Sequence, residues 1–587
     1  MIAPTRSKAV VAIFGLVLLA ACGSGAGPAP PQASASGQDT FDPLLAPQGP
    51  PYETRPPTIA ANGMAATLHP LATQVALDVL KAGGNAVDAA IAANAATAVL
   101  LPTSNGLGGD LFVIVWREDT KSLYGLNASG RSPLGLTLDA LRAELPGSDT
   151  LPMVGRLAAL TVPGVVDGWF ELHDRWGTLD IETLLEPAIR YAYEGAPGRG
   201  WGAREDLRAQ PNYAETFLPG GRGPARGELF RNPDVANTLT AIAQGGRDAF
   251  YKGSIARRVD EFCRRVGCFL RYEDFAAHRS EWVEPLGARF GEYTVWQLPP
   301  NSQGLATLQM IKLLEPYDLK AMGHNSPEYL HHLIEAKKIA FEDRAAFYAD
   351  PDFADIPIRE LLEDDYIDSR RRKLNPRRAG NSYLAQDPRT AISETTYLTV
   401  ADSAGNMVSL IQSNYWGPGS GLVPDGTGFS LQNRGAAFSL EEGRANTYEP
   451  GKRPFHTIIP GFVTKGGERY MSFGATGGDM QPQSAIQILL NHFLFDMDVQ
   501  AAADVARFRH LGSTDPRGGA VMADGGCVAL ETQLRPRVSR GLEEMGHTLC
   551  RPEEAVGGRH LSIMWDVGHG VYWGGAETRD YGQASGW

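Results

Sequence analysis

The sequence predicts a layered α+β fold, and three observations carry that prediction. Apolar residues recur at intervals of three and four over Leu71–Leu80, and an alanine-rich run suited to close helix packing follows. Leu111–Trp116 is a short apolar run with a turn and a second run, Leu123–Leu126, behind it. From Thr395 the pattern becomes a hairpin: a strand to Ala401, a turn over residues 402–406, and a second strand from Met407 to Gln412.

Each element has a local reason. The first helix should stop at Gly83-Gly84, a glycine C-cap signal, and Asn85 can cap the helix that follows. Pro327–Tyr348 reads as an amphipathic helix capped by Ser326, with proline at the first helical position, where its missing N–H costs nothing. Thr457–Val463 and Tyr470–Phe473 form a further strand pair leading into Gly474, and Pro482–Phe495 reads as a helix.

The N-terminus reads as an export signal. Arg6 and Lys8 precede an apolar stretch, Val10–Leu19, too short to span a bilayer comfortably, and Leu19-Ala20-Ala21-Cys22 looks like a bacterial lipobox. Cleavage before Cys22 and acylation of its thiol would leave a lipid anchor on a Pro-rich, disordered tether over residues 22–57. The protein would then be periplasmic or at the cell surface. Loss of residues 1–21 takes the formal charge from −13 to −15, which disfavours nucleic acid as a partner.

Four cysteines remain beyond Cys22, and an oxidising compartment permits disulfides. Neighbours in sequence suggest Cys263 with Cys268 and Cys527 with Cys550, one of three connectivities. Zinc is disfavoured, since no C-x-x-C is present and the histidines are not spaced around these thiols. The chain also lacks a G-x-S-x-G elbow, an H-E-x-x-H motif and a Walker loop. His331, His332 and Glu335 stand at helical spacing, which an exposed helix face explains as well as a metal would.

Eight segments change the reading of function. GMAATLHPLAT from Gly63, LKAGGNAVDAAIAANAATAVLLPTSNGLGGDLF from Leu80, PPNSQG from Pro299, EAKKIAFEDR from Glu335, ETTYLTVADSAGNMVS from Glu394, PGKRP from Pro450, GATGGD from Gly474 and ARFRH from Ala506 resemble, in order, segments of the γ-glutamyltransferase family. The resemblance covers the chain from about Gly63 to its end and falls in the branch that also looks like the cephalosporin acylases. It implies a four-layer αββα sandwich of the N-terminal nucleophile hydrolase type. It also implies self-cleavage between Glu394 and Thr395, giving a large subunit, 58–394, and a small one, 395–587, that stay together as a heterodimer.

In that reading Thr395 carries both nucleophile and base, its hydroxyl and its freed α-amine. Gly477 and Gly478 hold the oxyanion, Ser413 and Asn414 lie near the nucleophile, and Arg131 pairs with a substrate carboxylate. In the family that arginine lies four residues before a proline, whereas Arg131 lies two before Pro133. Two further departures bear on substrate. The family's Gln-x-x-Asp, whose aspartate holds an α-ammonium, aligns with Arg434 and Ala437, and its Ser-Ser pair becomes His456-Thr457.

The expected activity is therefore hydrolysis or transfer of a γ-glutamyl-type acyl group from a small amide to water or an amine, with no metal or organic cofactor. The alternatives are an acylase acting on glutaryl-type amides, or a surface-binding lipoprotein that has lost catalysis.

Overall fold

The computed structural model describes residues 54–383, 395–519, 521–551 and 556–587. The export signal, Cys22, most of the tether and Glu394 lie outside the described residues. Thr54 already bonds Asp504 through both its N–H and its hydroxyl, and Arg55 donates to the carbonyls of Ala576 and Gly582. The chain is thus tied to the body a few residues before the expected boundary at residue 57.

Two seven-stranded antiparallel sheets face each other at the centre. One runs, edge to edge, Thr58–Ala60, Val571–Ala576, His560–Asp566, Glu468–Ala475, Pro460–Lys465, Tyr293–Gln297, Leu286–Phe290. The other runs Gln583–Gly586, Met64–Thr67, Thr396–Ala401, Met407–Ser413, Asp110–Arg117, Ser122–Ala128, Glu281–Val283. Each sheet mixes strands from before and after Thr395. The helices Pro70–Lys81, Ala86–Leu100 and Val165–Trp176 cover the second sheet, and Gly304–Leu314 and Met480–Phe495 cover the first, with Pro327–Phe347 packed on Gly304–Leu314. This is the αββα order.

Local chemistry sets the ends of these elements. The first helix closes at Ala82, and Gly83 takes the left-handed conformation, φ 97°, that a residue with a Cβ resists. The Asn85 side chain accepts from the backbone of Val87 and Asp88 while Asp88 returns a bond to Asn85, a reciprocal capping box. Ser326 accepts from Tyr329, with Pro327 at the first helical position. The helix Ala86–Leu100 is buried along its whole length, and its alanines let it sit close to both the sheet and its neighbours.

Between the sheets the packing is tight enough to fix register. The Thr399 and Ser472 hydroxyls meet across the layers, and Trp116 stacks on Phe462 with ring centroids 5.9 Å apart. At Gly474 a Cβ would stand 2.3 Å from the Tyr397 ring, so only glycine fits there.

Candidate active site

Thr395 immediately precedes the strand Thr396–Ala401 and is buried. Its hydroxyl donates to Ser413 Oγ at 3.3 Å, because Ser413 ends the neighbouring strand, where Gln412 pairs with Thr396. Ser413 Oγ also accepts from the Tyr415 N–H at 2.8 Å. Tyr415 has φ 83°, an uncommon conformation for an aromatic residue that costs on the order of 1–3 kcal/mol and persists only where surroundings over-determine it. The Ser413 bond and the guanidinium of Arg434, 4.2 Å from the Tyr415 ring, are two of those constraints.

The facing layer brings the glycine pair to the same place. Thr399 meets Ser472 and Tyr397 meets Gly474, so two residues back along one strand match two forward along the other. Continued by one more step, that register would set Thr395 opposite Thr476, the residue before Gly477 and Gly478. These glycines have φ 108° and 58° and lie just before the helix Met480–Phe495. Among the described residues neither N–H has a hydrogen-bond partner. Two donors at the positive end of a sixteen-residue helix suit a developing oxyanion.

Segments far apart in sequence hold this arrangement. Gln303, from the PPNSQG segment, donates to Thr457 O at 2.6 Å and to Gly478 O at 2.9 Å. Its own carbonyl accepts from Arg344 Nη1 at 2.7 Å, and Arg344, from EAKKIAFEDR, also binds Asp479 at 2.7 Å. Burial alone would raise the Asp479 carboxyl, but Arg344, Arg517 and Arg509 outweigh it and hold it ionised. Gln303 and Arg344 are positioning residues that sequence reasoning missed. Their motifs were visible; the contacts, 154 and 135 residues apart, were not.

A buried charge cluster adjoins the site. Arg434 Nη1 donates to Thr457 Oγ1 at 2.9 Å, and its Nε and Nη2 have no partner among the described residues. Burial lowers its guanidinium to about 10, with Asp110 favouring the charged form. Burial also pushes the Asp110 carboxyl up to about 6, against the pull of Arg434, Gln432 and the N–H groups of Gly130 and Gly164. His456 Nε2 lies 3.1 Å from Asp110 Oδ2, and its Nδ1 accepts from Ile458 N. Burial first, then Arg434, holds this imidazole well below its usual range, so it is neutral. Ala437 is buried and offers no side-chain partner to an ammonium.

The remaining expected residues have the following surroundings. Arg131 Nη1 binds Asp350 at 3.0 Å, and its Nη2 binds Glu281 at 2.9 Å and Asp352 at 2.7 Å. Three carboxylates therefore hold the fork expected to take a substrate carboxylate. Asn414 is buried, donates to Pro418 O at 3.2 Å, and keeps a carbonyl oxygen without a partner among the described residues. His331, His332 and Glu335 do not form an exposed face. All three are buried; His331 pairs with His547 at 2.8 Å, while Glu335 takes Lys338, Gly380 N and Tyr383. The structure joins Cys263 to Cys268 and Cys527 to Cys550.

Two spaces flank the site. A small one, about 10 Å³, lies among Tyr415, Phe455, Thr457, Gly478, Asp479, Asp515 and Arg517. A large cleft, about 860 Å³, opens past Trp416 and Pro418 and is walled by Trp201, Arg204, Arg559 and Tyr581. Arg559 O accepts from Thr476 N at 2.9 Å, which links one wall of the cleft to the residue before the glycine pair.

Comparisons with known proteins agree with this geometry. The family model described as gamma-glutamyltranspeptidase matches residues 72–587. A glutathione hydrolase-like YwrD proenzyme of Bacillus subtilis is 37% identical over 90% of this chain and 99% of its own, and an oxamate amidohydrolase proenzyme of Klebsiella pneumoniae is 34% identical with the same coverage. The crystal structure of a cephalosporin acylase from Bacillus halodurans superposes with a TM-score of 0.81 at 38% identity, covering 93% of this chain and 99% of that one. With the αββα core and the buried threonine at a strand start, the chain belongs to the γ-glutamyltranspeptidase family.

Proposed function

We propose that the protein is a proenzyme that cuts between Glu394 and Thr395 and then uses Thr395 to hydrolyse or transfer the acyl group of a small amide. The observation that carries this is the buried Thr395 at the start of a strand with its hydroxyl on Ser413 Oγ, together with the Gly477 and Gly478 N–H groups at the start of the helix Met480–Phe495, which have no partner among the described residues. In the precursor the Thr395 hydroxyl attacks the Glu394 carbonyl and the peptide C–N bond breaks, giving a free Thr395 amine and an ester between Glu394 and Thr395 Oγ1. Water then hydrolyses that ester to a Glu394 carboxylate and the restored Thr395 hydroxyl. That amine then takes the hydroxyl proton as Oγ1 attacks the substrate carbonyl. The N–H groups of Gly477 and Gly478 hold the negative oxygen, the substrate C–N bond breaks, and the leaving amine takes the proton. Water or an acceptor amine resolves the ester and returns Thr395. The relatives are named for different substrates, glutathione, oxamate and cephalosporins among them, so kinship carries the reaction class rather than the acyl group.

Mass spectrometry and denaturing electrophoresis without reductant test this. Each disulfide joins cysteines on one side of Thr395, so wild-type protein should resolve into two chains, the smaller starting at Thr395. Thr395→Ala should stay whole and inactive. Cleavage of that variant at the same bond would remove the assignment. A lipid on Cys22 is the companion proposal, supported by the Leu19-Ala20-Ala21-Cys22 sequence, and would place the enzyme outside the cytoplasm. Cys22→Ser should move the protein from the membrane fraction to the soluble one, and its retention on membranes after signal removal would refute the anchor.

A further inference from the structure

We propose that the large cleft walled by Trp416 and Arg559 receives the amine half of the amide, and that it selects an amine built on an aromatic ring that also bears an acid group. The inference rests on Thr395 being the amide-cleaving nucleophile and goes beyond it by naming the group that leaves. Arg204 and Trp416 are the residues that choose it.

The cleft wall continues directly from the catalytic residues. Thr395 donates to Ser413 Oγ, which also accepts from Tyr415 N, and the residues that follow, Trp416 to Pro418, belong to the wall. Thr476, the residue before Gly477, donates to Arg559 O, and Arg559 lines the cleft as well. During turnover the acyl half stays on Thr395 as the ester, while the amine half leaves and water or an acceptor enters. The half that exchanges with solvent needs the open space, and a cleft of about 860 Å³ has room for a substituted ring.

Two kinds of surface line this space, aromatic faces and guanidinium groups, and among the described residues that line it there is no carboxylate. The Arg204 guanidinium lies 3.7 Å from the centroid of the Trp416 ring, and Arg199 lies 4.5 Å from that of Tyr581. Trp201 is held by its Nε1 on Phe217 O at 3.0 Å and by an edge-on contact with Phe230. Rings fixed in this way can stack a flat ligand with little loss of side-chain freedom.

The charges of the wall do not balance. Arg199 and Arg559 share one carboxylate, Asp580, while Arg204 pairs with Asp206, which is half-exposed. A guanidinium stacked on a ring still presents its edge N–H groups to an acid. An aliphatic acid would meet the arginines and leave the ring faces to water, and an uncharged aromatic amine would do the reverse. An aromatic ring bearing an acid satisfies both.

The test uses processed wild-type enzyme and three probes of the amine half: p-acetamidobenzoate, its carboxamide, and the acid whose ring is saturated to cyclohexane. The first should compete with a γ-glutamyl or glutaryl anilide, whichever is turned over, and should bind about tenfold more tightly than either of the others, by inhibition and by ligand-observed NMR titration. Arg204→Gln should bring the acid and its carboxamide to within about threefold of each other while the preference for the aromatic ring remains. Trp416→Leu should do the opposite. A first probe that binds wild-type enzyme no better than either of the others overturns the proposal, as does inhibition that is not competitive, or a pair of preferences that both variants retain. Should either variant fail to process, the wild-type comparison decides alone. Loss of all amide cleavage in processed wild-type protein would instead refute the reading of Thr395, and the NMR titration would still decide on the cleft.

Discussion

At the residue scale, the site depends on groups whose protonation burial controls. Asp110 has a folded-state carboxyl near 6, above its ordinary 3.8, so the folded protein binds this proton more tightly than the unfolded chain does. The resulting stability is fully present below pH 3.8, declines as pH rises through about 6, and contributes no slope above that. In the uncleavable Thr395→Ala background, Asp110→Asn should flatten the urea midpoint against pH between those values, by up to about 1.4 kcal/mol per pH unit. An unchanged slope would show that Asp110 stays ionised throughout.

Thr395 was legible only because a long ordered set of segments surrounded it, since TTYLTV by itself is an ordinary β-branched strand. For Arg131 the sequence shows a charge and not its partners. The acids that hold it, Glu281, Asp350 and Asp352, are 150 or more residues away.

At the scale of elements, periodicity located the few helices it named and the central hairpin to within a residue or two, because capping side chains and glycines mark their ends locally, while helices such as Val165–Trp176 and Gly304–Leu314 were not anticipated. The helix Pro327–Phe347 was found but its environment was not. His331, His332 and Glu335 allowed an exposed face, yet they are buried, and so are Lys337, Lys338, Glu342, Asp343 and Arg344. Their partners, among them Ser513, Thr514, Asp479 and Arg370, lie on other segments. Sequence polarity reports exposure only where charges are not paired within the fold.

The strands His560–Asp566 and Val571–Ala576 were not anticipated, since neither shows clean alternation or a strong turn signal. The contact between Tyr397 and Gly474 sets the registration of the two layers. Gly474→Ala should therefore slow self-cleavage and lower stability by about 1–3 kcal/mol, measured by the rate of appearance of the small chain and by urea unfolding. Unchanged processing would show that the layers can part without moving Thr395.

At the scale of the whole molecule, neither side of the Glu394–Thr395 bond owns a sheet. The strand Thr396–Ala401 lies between Met64–Thr67 from one side and Met407–Ser413 from the other, and the terminal strand Gln583–Gly586 pairs with Met64–Thr67. The precursor folds as one chain, so forming these pairings is intramolecular. Once cut, the same pairings can be regained after denaturation only by collision of two fragments, neither of which has a complete core, and the association becomes concentration-dependent. The working enzyme would then last for as long as its first unfolding is delayed, a lifetime set by a rate rather than an equilibrium. Recovery from urea should be nearly independent of dilution for Thr395→Ala and should fall steeply with dilution for processed enzyme. Equal recovery would mean that one fragment folds alone. Self-cleavage thus works as a one-way clock: the step that activates the protein also removes its route back to the native state.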